Sequence, residues 1–198
     1  MDDVKIKPSR SVKALLDPDA ILEREFEYAR DASLQANSDR AQIVNLYLIL
    51  LGGIGSLLLA LPALAAGRAL TFPPALFSAA LLLLGLLGLF TIFKLIRLRQ
   101  AWHDSVLAMN RIKDFYLAHY PDLRPAFHWR TESIPAPEKV GTITFNLAML
   151  VAITDSVALG AGVYLLPLLQ PAGWAIGAAL AFFAAQITAY FWLLSRGQ

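Results

Sequence analysis

Residues 144–166, TFNLAMLVAITDSVALGAGVYLL, decide the fold. An α-helix needs about 20 apolar residues to cross the hydrocarbon core of a bilayer, and this run is long enough. It also carries Asp155 near its middle, the only Asp or Glu inside any apolar run of the chain. A carboxyl group at that depth costs roughly 2.5–3.5 kcal/mol even on the lenient insertion scale. Such a group turns toward protein or water and marks a candidate site.

Outward from this run, the same apolar character recurs. Of 198 residues, 57% are hydrophobic and 16% charged, against about 25% charged in an ordinary soluble domain. The apolar surplus is gathered in four blocks, which reads as membrane spans rather than one large soluble core. The near-neutral net charge of +2 leaves no basic footprint for nucleic acid. The chain has no cysteine, so disulfides, a thiol nucleophile and a thiolate metal site are excluded. Residues 1–20 lack the short apolar core of a signal peptide, and the first span is expected to act as an uncleaved targeting element.

The fold class expected is all-α, a polytopic membrane protein of two helical hairpins. Residues 1–41 form a cytosolic segment, with Lys5, Lys7, Arg10 and Lys13 at its start. Asp17-Pro18 predicts a helix N-terminus, Asp as cap and Pro in the first position. A polar helix is then expected to about Ser38, with a weak seam of Leu22, Phe26, Ala29, Ser33 and Ala36. Asp39 to Gln42 resembles a capping box that restarts the helix at the membrane. Residues 42–93 form the first transmembrane hairpin, with spans near 43–64 and 74–93. Gly52, Ser56 and Ala60 lie four apart on the first of these, a small-residue pattern that lets helices approach closely.

Residues 94–141 are cytosolic. No helix breaker occurs between Lys94 and Pro121, so the second span is expected to run on as an amphipathic helix. Its face of Leu98, Trp102, Ser105, Met109, Ile112 and Tyr116 is spaced 4-3-4-3-4 and is the candidate surface for a cytosolic partner. Pro121, Pro125, Pro135 and Pro137 then predict an extended connector. Residues 142–198 form the second hairpin and a short tail.

Orientation follows from Lys and Arg. Seven precede the first span, Arg68 alone lies in the first loop, eight lie in 94–139, none lies in the last turn, and Arg196 is in the tail. Positive residues stay inside, so both termini are expected to be cytosolic in an inner, cytoplasmic-type membrane. Tyr164 and Trp174 on the outer side, and Tyr190 and Trp192 on the inner side, match interfacial belts.

The second hairpin carries the clearest packing pattern. Ala148, Ala152, Ser156 and Gly160 lie four apart on the third span, and Gly173, Gly177, Ala181, Ala185 and Ala189 four apart on the fourth. The short turn makes these spans antiparallel neighbours, so the stripes are expected to pack on each other or, in part, on another subunit. Asp155 flanks the first stripe near the membrane midplane. Gln186, about one turn nearer the cytosol, is its expected partner, while Thr154 and Ser156 point to other faces. No Lys, Arg or His occurs centrally in any span, so an ionised Asp155 would lack a counter-ion. A neutral carboxyl group that joins helices is the expected reading, with a proton or cation site, or a gating or oligomer contact, as the alternatives.

The three histidines, His103, His119 and His128, have no ligand spacing, so no metal is expected. Gly52-Gly53-Ile54-Gly55 lies inside a span and precedes no soluble helix, which makes it a packing feature. No cofactor signature occurs, and no converging set of acids and histidines speaks for an enzyme. Over residues 18–120, a cytosolic helix, a two-span hairpin and a second cytosolic helix are similar in layout to SLATT-type bacterial membrane effectors. What the residues and that layout imply is a non-enzymatic, self-associating membrane component. It would sit in the lipid bilayer, with a homo-oligomeric or cytosolic protein partner and pore formation as one mode of action. The alternative is a small ion or proton channel working through Asp155.

Overall fold

The computed structural model describes residues 17–65, 73–166 and 172–196, without the side chains of 61–65. Every regular element among them is helical: α1 (Pro18–Ala65), α2 (Pro74–His119), two 3-10 turns (Pro121–Ala126 and Thr131–Ser133), α3 (Ile143–Tyr164) and α4 (Gly173–Ser195). Four of these helices are long and apolar enough to cross a membrane, which marks the chain as an integral, multi-pass membrane protein. Residues 1–16, Arg68 and the turn at 167–171 lie outside the described residues.

Helix boundaries follow local chemistry. At the start of α1, Asp17 Oδ1 accepts the Asp19 N–H at 3.0 Å, and Pro18 occupies the first position. The helix then continues straight through Asp39 without restarting. No Pro or Gly lies between Asp19 and Leu51, so nothing forces a break and the capping-box residues serve as ordinary helical positions. Similarly, α2 runs from Pro74 past Lys94 to His119 in one piece. It stops where Tyr120, out of the helical region at φ −130° and ψ 74°, precedes Pro121. At the start of α3, Gly141 takes φ +76°, which suits a residue without Cβ. Thr142 then caps the helix by accepting the Phe145 N–H at 3.2 Å.

The chain divides into two compact units, and α1 and α2 contribute to both. The first takes in the described residues up to Leu34 and His103–Ile134. Within it, Ala29, Ser33 and Asn110 are buried. Tyr116 Oη donates to Asp19 Oδ1 at 3.3 Å, and Thr131 Oγ1 donates to Asp114 Oδ2 at 2.6 Å, fixing the second 3-10 turn against the helix.

The second unit, Gln35–Trp102 with Pro135–Gln198, holds the membrane spans. Its core gathers Val44, Tyr47, Leu84, Ile92, Val151, Ala152 and Leu194, among others, from all four helices. α3 is the central helix: 44% of its span is buried, against 11% for α4. Glycine and serine on α2 let α3 come close. Ser78 Oγ donates to the Gly162 carbonyl at 2.7 Å, and a Cβ on Gly85 would lie 3.2 Å from that of Leu159.

Candidate functional site

Asp155 sits at the centre of the second unit with no exposed surface. Gln186 Nε2 of α4 donates to Asp155 Oδ1 at 3.2 Å and lies 3.4 Å from Ser156 Oγ. The glutamine side chain is long enough to span the turn that separates it from the carboxyl group. It also bridges two neighbouring positions of α3, so Ser156, on another face of the helix, joins the site through the same amide.

From the other side, α2 closes directly on the acid. A Cβ on Gly88 would fall 2.2 Å from Asp155 Oδ2 and 2.4 Å from Asp155 Cβ. Contacts that short are sterically excluded, so the position has room only for hydrogen. Next to it, Tyr47 of α1 and Thr154 meet at 3.1 Å between their hydroxyl oxygens. Thr154 Oγ1 also lies 2.9 Å from the Leu150 carbonyl. Its own proton therefore serves the helix, and the tyrosine donates to it.

All four helices thus meet at one polar cluster within an apolar core. Its supply of hydrogen-bonding groups is lopsided. Asp155 Oδ2 and Gln186 Oε1 are both buried acceptors without a hydrogen-bond partner. No Lys, Arg or His lies in the cluster to supply a donor. A proton on the carboxyl group provides one, and burial at this depth penalises the bare charge. Chemically, the arrangement can hold helices together through a neutral acid, or take up and release a proton.

Toward the end of this unit where α1, α2 and the connector come together, two arginines act as clamps. Arg40 Nη1 donates to Thr144 Oγ1 at 2.6 Å, and Arg40 Nη2 donates to Asn37 Oδ1 at 2.8 Å. Arg99, only 4% exposed, donates to the Pro137 and Ala136 carbonyls at 3.2 Å each, and its guanidinium lies 4.7 Å from the centre of the Trp102 ring. Burial lowers the pKa of both guanidinium groups from the usual value, yet Arg stays protonated at any ordinary pH. Gln100 Nε2 adds a donor to the Leu193 carbonyl at 3.0 Å, tying α4 to α2.

The first unit carries a groove of about 500 Å³. Leu22, Phe26, Ile112, Tyr116 and Phe127 give it apolar walls, and Asp19, Glu23 and Glu27 rim one side. Of the face expected to meet a partner, Ile112 and Tyr116 line this groove, and Met109 is half-buried. Leu98 is buried in the other unit, and Trp102 there carries the Arg99 guanidinium.

The two small-residue stripes have different surroundings. Ala148, Ala152, Ser156 and Gly160 of α3 are all buried. On α4, however, Gly173, Gly177, Ala181 and Ala185 are exposed, and a Cβ on either glycine would meet nothing within 4 Å. The face of α4 that packs is Ala175, Gln186, Tyr190 and Leu194. Ala179 belongs with it: a Cβ on Gly160 would lie 2.9 Å from that of Ala179 and 3.1 Å from the Ala175 carbonyl oxygen. Nothing in the sequence pattern assigns Gly85, Gly88 or Tyr47 to the site, and Thr154 meets Tyr47 on a face of α3 away from Asp155. The available signal was the Gly85/Gly88 pair, three apart in a leucine run, and a tyrosine inside a span.

Comparison with known protein families, curated proteins and solved structures finds no match to this chain.

Proposed function

We propose that this integral membrane protein is a non-enzymatic component that self-associates through α4, with its first unit on the cytosolic side for recognition of a protein partner. One observation carries the reading. The Gly173-Gly177-Ala181-Ala185 stripe faces away from the chain's other helices, and both glycines are bare. A second helix can approach such a surface closely, and van der Waals packing of that kind drives association in lipid. The Lys and Arg distribution supports cytosolic termini in a cytoplasmic-type membrane.

The test is the oligomeric state of the full chain in lipid nanodiscs, by native mass spectrometry. The expected result is an oligomer that Gly177→Leu dissociates. A wild-type chain that stays monomeric in the bilayer overturns the reading. Orientation is checked with single cysteines, since the chain contains none. An impermeant maleimide should label Ser195→Cys only from the cytosolic side.

A second reading, proton movement through Asp155, is favoured by the two unpartnered acceptors at the cluster. Asp155→Asn keeps the shape and the hydrogen-bonding pattern, so insertion and assembly should persist. Proton flux into liposomes that disappears in this variant would support the second reading. Flux absent from the wild type, or unchanged in the variant, would remove it.

A further inference from the structure

The groove of the first unit has a defined chemistry. Its lining holds three acids, Asp19, Glu23 and Glu27, against two cations, Arg30 and Lys113. Arg30 pairs with Asp31 at 3.1 Å. Lys113 donates to Asn110 Oδ1 at 3.1 Å and lies 6.0 Å from the centre of the Phe26 ring. Among the described residues, Glu23 and Glu27 make no ion pair. The groove therefore presents apolar walls, at Leu22, Phe26, Ile112 and Phe127, beside free carboxylates. A complementary occupant combines apolar side chains with positive charges.

We propose that residues 1–16 of this chain are that occupant. The segment, MDDVKIKPSRSVKALL, holds Lys5, Lys7, Arg10 and Lys13 against two acids, Asp2 and Asp3. Val4, Ile6, Val12, Leu15 and Leu16 supply the apolar part. It joins the described chain at Asp17, two residues before Asp19 on the groove rim. The groove follows α1 from Asp19 to Arg30, about 17 Å at 1.5 Å per helical residue. Sixteen residues reach up to roughly 50 Å, enough to turn back and cover that length. Tethering matters as much as chemistry. A segment this close has an effective concentration in the millimolar range, so contacts too weak for a free peptide are sufficient here. A separate basic peptide would have to overcome that advantage. The inference is independent of whether copies associate through α4.

The test uses the full chain in nanodiscs. Because there is no native cysteine, Ser11→Cys carries a single photo-crosslinker of the benzophenone type. Products are mapped by mass spectrometry on a mixture of isotopically light and heavy chains. Cross-links within one chain to residues 19–30 of α1 or to Ile112, Tyr116 and Phe127 are expected. Adding Glu23→Lys and Glu27→Lys should reduce their yield at least about threefold, since each exposed pair contributes little alone and two are reversed. Glu25→Lys, on the same helix but outside the groove lining, should leave the yield unchanged. Products confined to lipid, light–heavy products indicating a second copy, or equal sensitivity to Glu25→Lys would each overturn the proposal.

Discussion

α3 and α4 carry the same spacing of small residues, and the structure uses it in opposite ways. On α3 the stripe lies inside, with Gly160 against Ala175 and Ala179 of α4. On α4 the stripe of Gly173, Gly177, Ala181 and Ala185 lies outside. Spacing gives the capacity for close approach. Which face uses it is decided by phase relative to the residues that must be buried. On α4 those are Gln186 and Tyr190, both 1% exposed. At ~100° per residue, Gln186 lies nine positions after Gly177 and therefore half a turn around the helix. The stripe and the glutamine cannot both face α3. The polar side chain takes the inside because a buried amide left unpartnered in hydrocarbon costs more than an idle stripe.

The strongest way to break this comparison is to fill the glycines at the packed contacts around α3. Gly88→Ala should destabilise the fold by about 3 kcal/mol, the upper range for overpacking a close-packed site. The new methyl would strike the Cβ of Asp155, which no rotamer change can move. Gly160→Leu should do comparable damage against Ala175 and Ala179. Thermal unfolding in detergent reads both. If these variants melt like the wild type, the inside assignment of the α3 face is wrong.

The next effect concerns the acid itself. Asp155→Leu removes the acceptor of the Gln186 amide and should cost about 1–3 kcal/mol in the same assay, the penalty of an orphaned buried donor. Asp155→Asn should stay within about 1 kcal/mol of the wild type, because a hydrogen-bonding group remains. An equal loss for Leu and Asn would place the importance of this position in its charge. Full stability of the Leu variant would mean that the polar cluster does not fix the phase of α4.

On the outer side, Gly177→Leu should leave the melting temperature near that of the wild type. Its expected effect is on association, weakened at least about tenfold, or ~1.4 kcal/mol, in a dilution series in nanodiscs. A leucine there that lowers the melting temperature as Gly160→Leu does would put the α4 stripe inside after all.

Much of this was legible from residues, and the misses have physical causes. The four apolar helices and the long run of α2 past Lys94 follow from hydropathy and the absence of breakers. The pairing of Asp155 with Gln186 was accessible because each is the lone long polar side chain of its span's middle, and such groups seek each other in lipid. Ser156 lies on a different face of α3 from Asp155, and the reach of Gln186 lets one amide address both positions. The role of Gly88 was hidden in LLLLGLLGLF, where composition dominates and no polar residue marks the phase. The continuity of α1 through Asp39 shows a limit of cap motifs. A capping box permits a start but cannot impose one where the helix has no reason to stop.

The smallest effect tests α1, whose span is no better covered than that of α4. Only 11% of the α1 span is buried; besides Arg40 on Thr144, its polar tie to α3 is the hydroxyl contact from Tyr47 to Thr154 at 3.1 Å. Tyr47→Phe keeps the ring in the core and removes that contact alone. Interhelical hydrogen bonds in bilayers contribute about 0.6 kcal/mol on average, and the variant should lose that amount. Thr154→Val should cost the same, and the double variant no more than either single one, because both delete one bond. Additive losses would show that Thr154 contributes through its bond to the Leu150 carbonyl rather than through α1. The polar cluster would then join three helices instead of four.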